Sequence, residues 1–414
     1  MTLLEDADSI SSRWRADLSL SSLIEERLAD FSAREGTVDL VAIGKASREM
    51  GDAARAVLGE RVCRRIVISD VGDESDRSED LVLLGEHPIP GGGSLHAGRG
   101  VTTFLERDRP ADLTLFLLSG GASSLCVLPA PPLTLDDLGE IWRSALRAGV
   151  DITTLNQIRA TTSLIAGGAV LRYVRSTNAK SLILVDNVVS GPHWVASAMT
   201  YEYTPSSDEV DALWGTIDVD APLRVKMRSA FENRSTLMGA RPGAICENVV
   251  VADPAMMLHS ATEEAARRGY RVIDMGARVV GDAGAVAHEW GEVVRSAGAR
   301  TAMVGVGEVT VQVHGDGRGG RCQEFAWLMA KELGASTRPS AFVARASDGR
   351  DYIEGVGGAW TSESTLARID DLGLDWLSIA RTHDTYPALR ALGQLIPGGH
   401  SGWNLCDLYV ALIA

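Results

Sequence analysis

The chain has 414 residues, 45% of them hydrophobic, 23% charged and 5% aromatic, with 43 glycines and a formal net charge of -15. That length exceeds one ordinary core and predicts about two to three domains, two being the expectation here. The acidic balance argues against a broad electrostatic footprint for nucleic acid or an anionic membrane, so neither is expected as a partner and any ligand should be small and locally held. The amino-terminal MTLLEDADSISSRW has no basic region followed by an apolar core, and no apolar run approaches the ~20 residues that span a bilayer. A cytoplasmic protein is expected. Cys63, Cys126, Cys246, Cys322 and Cys406 are dispersed without a C-x-x-C, and no H-E-x-x-H occurs, which predicts reduced thiols and no structural zinc.

In chain order, short β-branched runs alternate with longer helical stretches. Leu40 to Ile43 (LVAI) reads as a buried strand followed by a loop and a helix from Ser47. Arg65 to Ser69 and Leu81 to Leu84 have the same character, and Thr114 to Leu118 (TLFLL) is the clearest strand. Leu182 to Val185 is another, ending in Asp186. The polar stretch from Glu232 to Gly243 marks the expected domain boundary, with domains at 1–236 and 237–414. A second block repeats the grammar: strands at Asn248 to Val251, Tyr270 to Asp274 and Thr301 to Val306, helices at Pro254 to Arg268 and Ala283 to Ala297. After them come a strand at Val309 to Val313, a helix from Gln323, and a strand at Ala341 to Ala344 leading to Ser347-Asp348-Gly349. Strand-loop-helix alternation predicts a parallel sheet covered by helices, with function at the carboxyl ends of the strands.

Several stretches carry chemistry. Gly315 to Trp327 (GDGRGGRCQEFAW) places bare backbone, Arg318 and Arg321 at the start of a helix, a build suited to holding an anion. Ser119-Gly-Gly-Ala-Ser-Ser124 follows the TLFLL strand directly and is read the same way, in preference to a turn that needs glycine for geometry alone. Gly44-Lys45-Ala46 also ends a strand, but Asp39 and Ala46 break the phosphate-loop pattern, leaving Lys45 as a point charge for a phosphate or carboxylate. Asp186 and Asp348 at strand ends suit a general base or a magnesium ligand and equally suit helix caps. His87, in GEHPIPGGGS, reads as a loop histidine bonded to its own backbone. No Ser-His-Asp set or G-x-S-x-G elbow suggests a hydrolase. Together these parts are equipment for holding phosphates and aiming a hydroxyl at them.

The ordered series is specific. Gly44-Lys-Ala, Glu86-His-Pro-Ile-Pro90, Ser119-Gly-Gly-Ala-Ser, Asn156-Gln-Ile-Arg159 with Ser163 and Gly167-Gly168, Gly307-Glu308 with Thr310, Gly319-Gly-Arg321-Cys-Gln-Glu324, Ser347-Asp-Gly349 with Asp351, and Asn404 with Asp407 run collinearly over nearly the whole chain. This series resembles the ATP-dependent glycerate 2-kinase family. The resemblance implies an α/β fold of two domains, a Rossmann-like parallel-sheet amino-terminal domain and a smaller MOFRL-type α/β carboxyl-terminal domain. It further implies transfer of a phosphoryl group from ATP, with Mg2+, to the 2-hydroxyl of D-glycerate or a related hydroxy acid in a cleft between the domains, by a monomer or homodimer. Lys45, Arg321 and Asp186 match the family's catalytic positions, Asp186 as base or metal ligand. Ser119, Gly120, Gly121, Ser123, Asn156, Arg159, Glu308, Arg318, Asp348 and Asn404 are the implied substrate and nucleotide contacts. Some members carry the name hydroxypyruvate reductase, yet no G-x-G-x-x-G dinucleotide fingerprint accompanies it here.

The departures from the family pattern are local. Val185 to Pro192 keeps Asp186 and loses the following Gly-Asp, and Ser197 to Tyr203 loses a Gly-Pro and an acid. Ala166 stands where a lysine is usual, Cys322 replaces an asparagine, and Gly399 to Asn404 carries His400, Ser401 and Trp403. Bulk from Met199, Tyr203 and Trp403 points to a larger sugar acid or other alcohol as an alternative acceptor. The lost ionisable groups raise the further alternative of a nucleotide- or metabolite-binding homologue without turnover.

Overall fold

A computed structural model describes residues 2–32, 36–77, 79–240, 242–399 and 402–414. The chain forms two compact units, Leu20–Ala252 and a second built from Met1–Ser19 together with Asp253–Ala414. The division expected at 236/237 falls inside a helix, Ala221–Ala240. The polar residues there lie on a long surface helix, so the composition that suggested a linker reflects solvation of a helix flank.

In the Leu20–Ala252 unit the strands are β1 (Val38–Ile43), β2 (Val62–Ser69), β3 (Ser75–Arg77), β4 (Asp80–Leu84), β5 (Leu113–Leu118), β6 (Asn178–Leu184) and β7 (Cys246–Ala252). They are ordered β3-β4-β2-β1-β5-β6-β7, parallel throughout except for β3 against β4. Both β1 and β5 are buried along their whole length, as central parallel strands covered on both faces should be. The one acid in β1, Asp39, is held by Arg64 of β2, whose Nε donates at 3.0 Å. From β1 the chain winds to β2 and β4 on one side, then crosses to β5 on the other, so β1 and β5 flank the point where strand order reverses. Sheets of this type bind ligands in the crevice at that point. A separate helical layer, Leu135–Arg147, Ile152–Thr161, Ser207–Trp214 and Ala221–Ala240, has its own apolar core around Trp142, Ile158 and Trp214.

In the other unit the strands are β8 (Arg271–Asp282), β9 (Thr301–Thr310), β10 (Ser340–Ala346), β11 (Val356–Ser362), β12 (Leu395–Pro397) and β13 (Asp407–Ile413). Their order is β12-β11-β10-β13-β9-β8, and only β8 with β9 is parallel. The two-domain α/β class holds, but the parallel sheet expected for this block is a mixed one: β13, the last strand, inserts antiparallel between β9 and β10. The runs Thr301 to Val306 and Val309 to Val313 merge, through Gly307, into the single strand β9, which ends at Thr310. One face packs Trp290, Phe325, Phe342 and Tyr409 edge to face, with centroids 4.8–6.2 Å apart. The acidic amino terminus forms the helix Leu3–Ser12, started by a Thr2/Glu5 capping box, and it buries Ala7 and Ile10. Asp6 takes hydrogen bonds from Arg268 (2.6 Å) and Tyr270 (2.7 Å), so those acids serve the fold of this unit.

Candidate active site

The carboxyl ends of β1, β5 and β6 bring together Lys45, Ser119-Gly120-Gly121 and Asp186. The turns are laced by backbone bonds: Lys45 N–H donates to Gly120 O (2.9 Å), and Ala46 N–H to Ser119 Oγ (3.1 Å). Both glycines are required by close approach. A Cβ on Gly120 would lie 1.6 Å from Asp186 Oδ2; one on Gly121, whose φ is +82°, would lie 3.2 Å from Lys45 Cγ and 3.4 Å from His87 Cδ2. A lysine, an imidazole and a carboxylate therefore surround two bare glycines. Among the described residues Lys45 enters no ion pair, and the N–H groups of Gly120, Gly121, Ala122 and Ser123 have no acceptor.

Desolvation raises the Asp186 pKa above the ordinary carboxylate range, with the Lys45 charge pulling the other way. The His87 residue keeps solvent contact, yet loss of water at the ring, followed by the Lys45 charge, pushes its imidazole below its ordinary range. His87 was read from sequence as a structural loop residue; its ring instead packs against Gly121. Only the neighbouring Glu86-His-Pro motif hinted at this, because the contact spans more than thirty positions of chain. Glu86 itself is consumed locally, accepting from the N–H groups of Gly91, Gly93 and Ser94.

Beside this turn, Ser123 Oγ lies 2.7 Å from Ser197 Oγ, which donates to Asn156 Oδ1 at 3.0 Å; Arg159 Nη1 donates to the same oxygen at 3.2 Å. Ala196, Ser197 and Ala198 all have positive φ (55°, 53° and 58°), a run that costs roughly 1–2 kcal/mol per residue. The surroundings enforce it: Gly167 and Gly168 N–H groups bond Ser197 O and Ala198 O, both at 2.9 Å. Arg234, 1% exposed, clamps the glycine pair by donating from Nη2 to Gly167 O (2.8 Å) and Tyr203 O (3.2 Å). Ala166, standing for the family lysine, lines a cavity of about 10 Å³ with Ser123, Cys126, Trp142, Arg159 and Met199. Of the bulky residues expected near the site, Met199 is on that wall, while Tyr203 packs on Trp194 at 5.2 Å.

The stretch 315–327 in the other unit is different. Its helix starts at Arg321, two residues before the expected Gln323. The N–H groups of Cys322 and Gln323 are taken by the Asp351 carboxylate at 3.0 and 2.9 Å, and Gln323 Nε2 adds a third bond at 3.0 Å. Arg321 is held by Asp407 through Nε (2.5 Å) and Nη2 (3.1 Å) and by Glu308 through Nη1 (2.7 Å), which keeps its charge firmly in place. The anion that this glycine-arginine loop holds is thus the chain's own. Arg318 is exposed and lies over Tyr386, 4.9 Å from the ring centre. Asp348 Oδ1 accepts from Arg350 N–H (2.9 Å), and Asn404 Oδ1 accepts from Ser347 Oγ (3.0 Å) and Cys406 N–H (2.9 Å), so both shape their own turns. Trp403 meets Trp14 edge to face at 5.7 Å; His400 and Ser401 lie outside the described residues.

Among the described residues no group of three or more His, Cys, Asp or Glu side chains is placed to hold a metal, and no helix is long and apolar enough to cross a membrane. Residues 9–232 match the family described as a domain of unknown function (DUF4147), and residues 301–407 match the MOFRL family. The chain is 25% identical to a glycerate 2-kinase of Pyrococcus horikoshii, covering 100% of this chain and 96% of that one. It is 27% identical to a D-glycerate 2-kinase of Thermotoga maritima, with 91% and 90% covered. Relatives from Agrobacterium vitis carry a provisional hydroxypyruvate reductase name. The crystal structure of a Thermotoga maritima glycerate kinase shares the fold over 99% of both chains, with a TM-score of 0.86 at 23% identity. With more than half its length matched by one family, and the carboxyl-terminal match in its expected place, the chain belongs to the DUF4147 family and carries a MOFRL region.

Proposed function

We propose that the chain is an ATP-dependent kinase that phosphorylates the 2-hydroxyl of D-glycerate or a closely related hydroxy acid. The observation that carries this reading is the turn at Ser119-Gly120-Gly121: among the described residues its N–H groups have no acceptor and Lys45 enters no ion pair, at the strand-order reversal of a parallel sheet. Such a place stabilises negative charge that develops on a transferring phosphoryl group. The names of the glycerate 2-kinase relatives supply the acceptor.

In the proposed reaction the acceptor oxygen forms a bond to the γ-phosphorus as the bond to the β-phosphate oxygen of ATP breaks, and ADP leaves. Asp186, as carboxylate, takes the hydroxyl proton; its raised pKa makes it a better base than an ordinary aspartate. Lys45 and the backbone donors hold the charge on the phosphoryl oxygens. A single protein carboxylate at Asp186 would fit a magnesium ion carried mainly by nucleotide phosphates. Such an ion would neutralise phosphate charge.

The test is ATP-to-ADP turnover by the purified protein with magnesium and D-glycerate, run beside a panel of sugar acids and hydroxy acids. Glycerate-dependent turnover is expected. Turnover only with larger acceptors would transfer the reading to a specialised kinase, and nucleotide binding with no turnover on any acceptor would overturn it in favour of a binding protein.

A further inference from the structure

His87 stands in the loop that leaves the carboxyl end of β4, a strand three places from β5 in the sheet order. The loop nevertheless reaches the turn after β5. A Cβ on Gly85 would lie 2.1 Å from Leu125 O, and the point that a Gly121 Cβ would occupy is 3.2 Å from Lys45 Cγ and 3.4 Å from His87 Cδ2. Glu86 fixes that course: its N–H donates to Ser94 Oγ at 2.9 Å, and its carboxylate accepts from the N–H groups of Gly91, Gly93 and Ser94. The ring is held beside the turn without a bond of its own, since among the described residues neither ring nitrogen enters a hydrogen bond or an ion pair. A histidine kept for its loop would use those nitrogens on nearby backbone. Cδ2 is the ring atom nearest Gly121, and Nε2 is the nitrogen bonded to it, with Nδ1 across the ring. Desolvation, then the Lys45 charge, opposed by Asp70 and aided by Arg159, lowers the imidazole pKa, so at neutral pH the ring is neutral and carries one N–H donor.

We infer that His87 is a further catalytic residue, donating a hydrogen bond from Nε2 to an oxygen of the anion that Lys45 and the N–H groups of Gly120 to Ser123 hold. That the anion is a transferring phosphoryl group rests on the proposed kinase reading; the contact itself does not. Lys45 supplies a point charge after β1, the turn after β5 supplies backbone donors, and His87 adds a side-chain donor from the loop after β4. Donors from three loops match the three oxygens over which a transferring phosphoryl group spreads its charge. A neutral ring suits the place. A second cation would be repelled by Lys45, whereas a neutral N–H adds stabilisation without that cost. His87 moves no proton in this role; the acceptor's hydroxyl proton still goes to Asp186.

The experiment measures turnover with magnesium, ATP and D-glycerate, and thermal unfolding, on wild type, His87→Ala, His87→Phe and His87→Gln. It also reads the ring nitrogens by proton–nitrogen correlation spectra near neutral pH, with and without inorganic pyrophosphate. His87→Ala and His87→Phe should lower kcat by about 10²-fold with the acceptor KM within about threefold. His87→Gln, whose amide nitrogen reaches the place of Nε2, should recover about tenfold of that loss. Phenylalanine keeps the packing against Gly121 and has no donor, so it separates a hydrogen bond from a wall. Unfolding midpoints should agree within about 2 °C, because the ring makes no hydrogen bond that the fold needs. In wild type, pyrophosphate should move the His87 Nε2 signal, assigned by its absence from His87→Gln, and leave Nδ1 nearly in place. His87→Phe at the wild-type rate, or His87→Gln no faster than His87→Phe, would overturn the contact. So would an Nε2 signal unmoved by pyrophosphate. If pyrophosphate moves Nε2 in a wild type that phosphorylates no acceptor, the kinase reading fails and the contact stands.

Discussion

Two glycine-rich turns lead into helices in this chain, and they end in opposite electrostatic states. After β5, among the described residues, the N–H groups of Gly120 to Ser123 have no acceptor and the neighbouring Lys45 side chain enters no ion pair, and one carboxylate, Asp186, packs on Gly120. At Arg321 the helix N-terminus is capped by Asp351 and the guanidinium is shared between Asp407 and Glu308. Both sequences are built to hold an anion. The difference is whether the chain supplies that anion itself, and only the first turn leaves its capacity for a ligand.

The comparison breaks most visibly on stability. Arg321→Ala strands Asp407, which is 0% exposed, and should cost about 3–5 kcal/mol of unfolding free energy in chemical denaturation. A loss below about 0.5 kcal/mol would mean that the pair is not structural. Gly120→Ala places a methyl where Asp186 Oδ2 now lies and should lower turnover by at least about tenfold while the unit containing Asp253–Ala414 stays folded; an active variant would show that the carboxylate can be moved at no cost to the reaction. Asp351→Asn leaves one acceptor for two helix N–H groups and should cost about 1–3 kcal/mol, read by thermal denaturation, with turnover by the remaining folded protein preserved.

The smallest effect is one of pH. Turnover requires Asp186 ionised, so a raised pKa moves the acid limb of kcat/KM upward, and rate rises with pH through that limb. The Lys45 charge lowers the Asp186 pKa, so the residual activity of Lys45→Met should show its limb at higher pH than wild type. An unmoved or lowered limb would take Asp186 out of the role of base.

The parts of this fold that were legible are those whose signal is local. The buried runs LVAI and TLFLL are central strands because nothing but burial on both faces suits them, and the glycines after TLFLL marked the turn correctly. What sequence hid depends on distant partners. Asp351 caps a helix that starts thirty residues earlier in the chain, His87 reaches Gly121, and Arg159 is fixed by Trp142 of another helix. The polar flank near Glu232 looked like a linker because a solvated helix and a linker share a composition. The sheet direction of the carboxyl-terminal block was misread because β13 comes last in sequence and pairs in the middle.

The most direct test of the account is ATP-to-ADP turnover with magnesium and D-glycerate by wild type and Lys45→Ala, with thermal unfolding measured on both. Lys45 is exposed and enters no ion pair among the described residues, so its removal should leave unfolding unchanged within about 0.5 kcal/mol while turnover falls by about 10²- to 10³-fold. Near-normal turnover by a folded Lys45→Ala would contradict the placement of the phosphoryl site at the turn after β5.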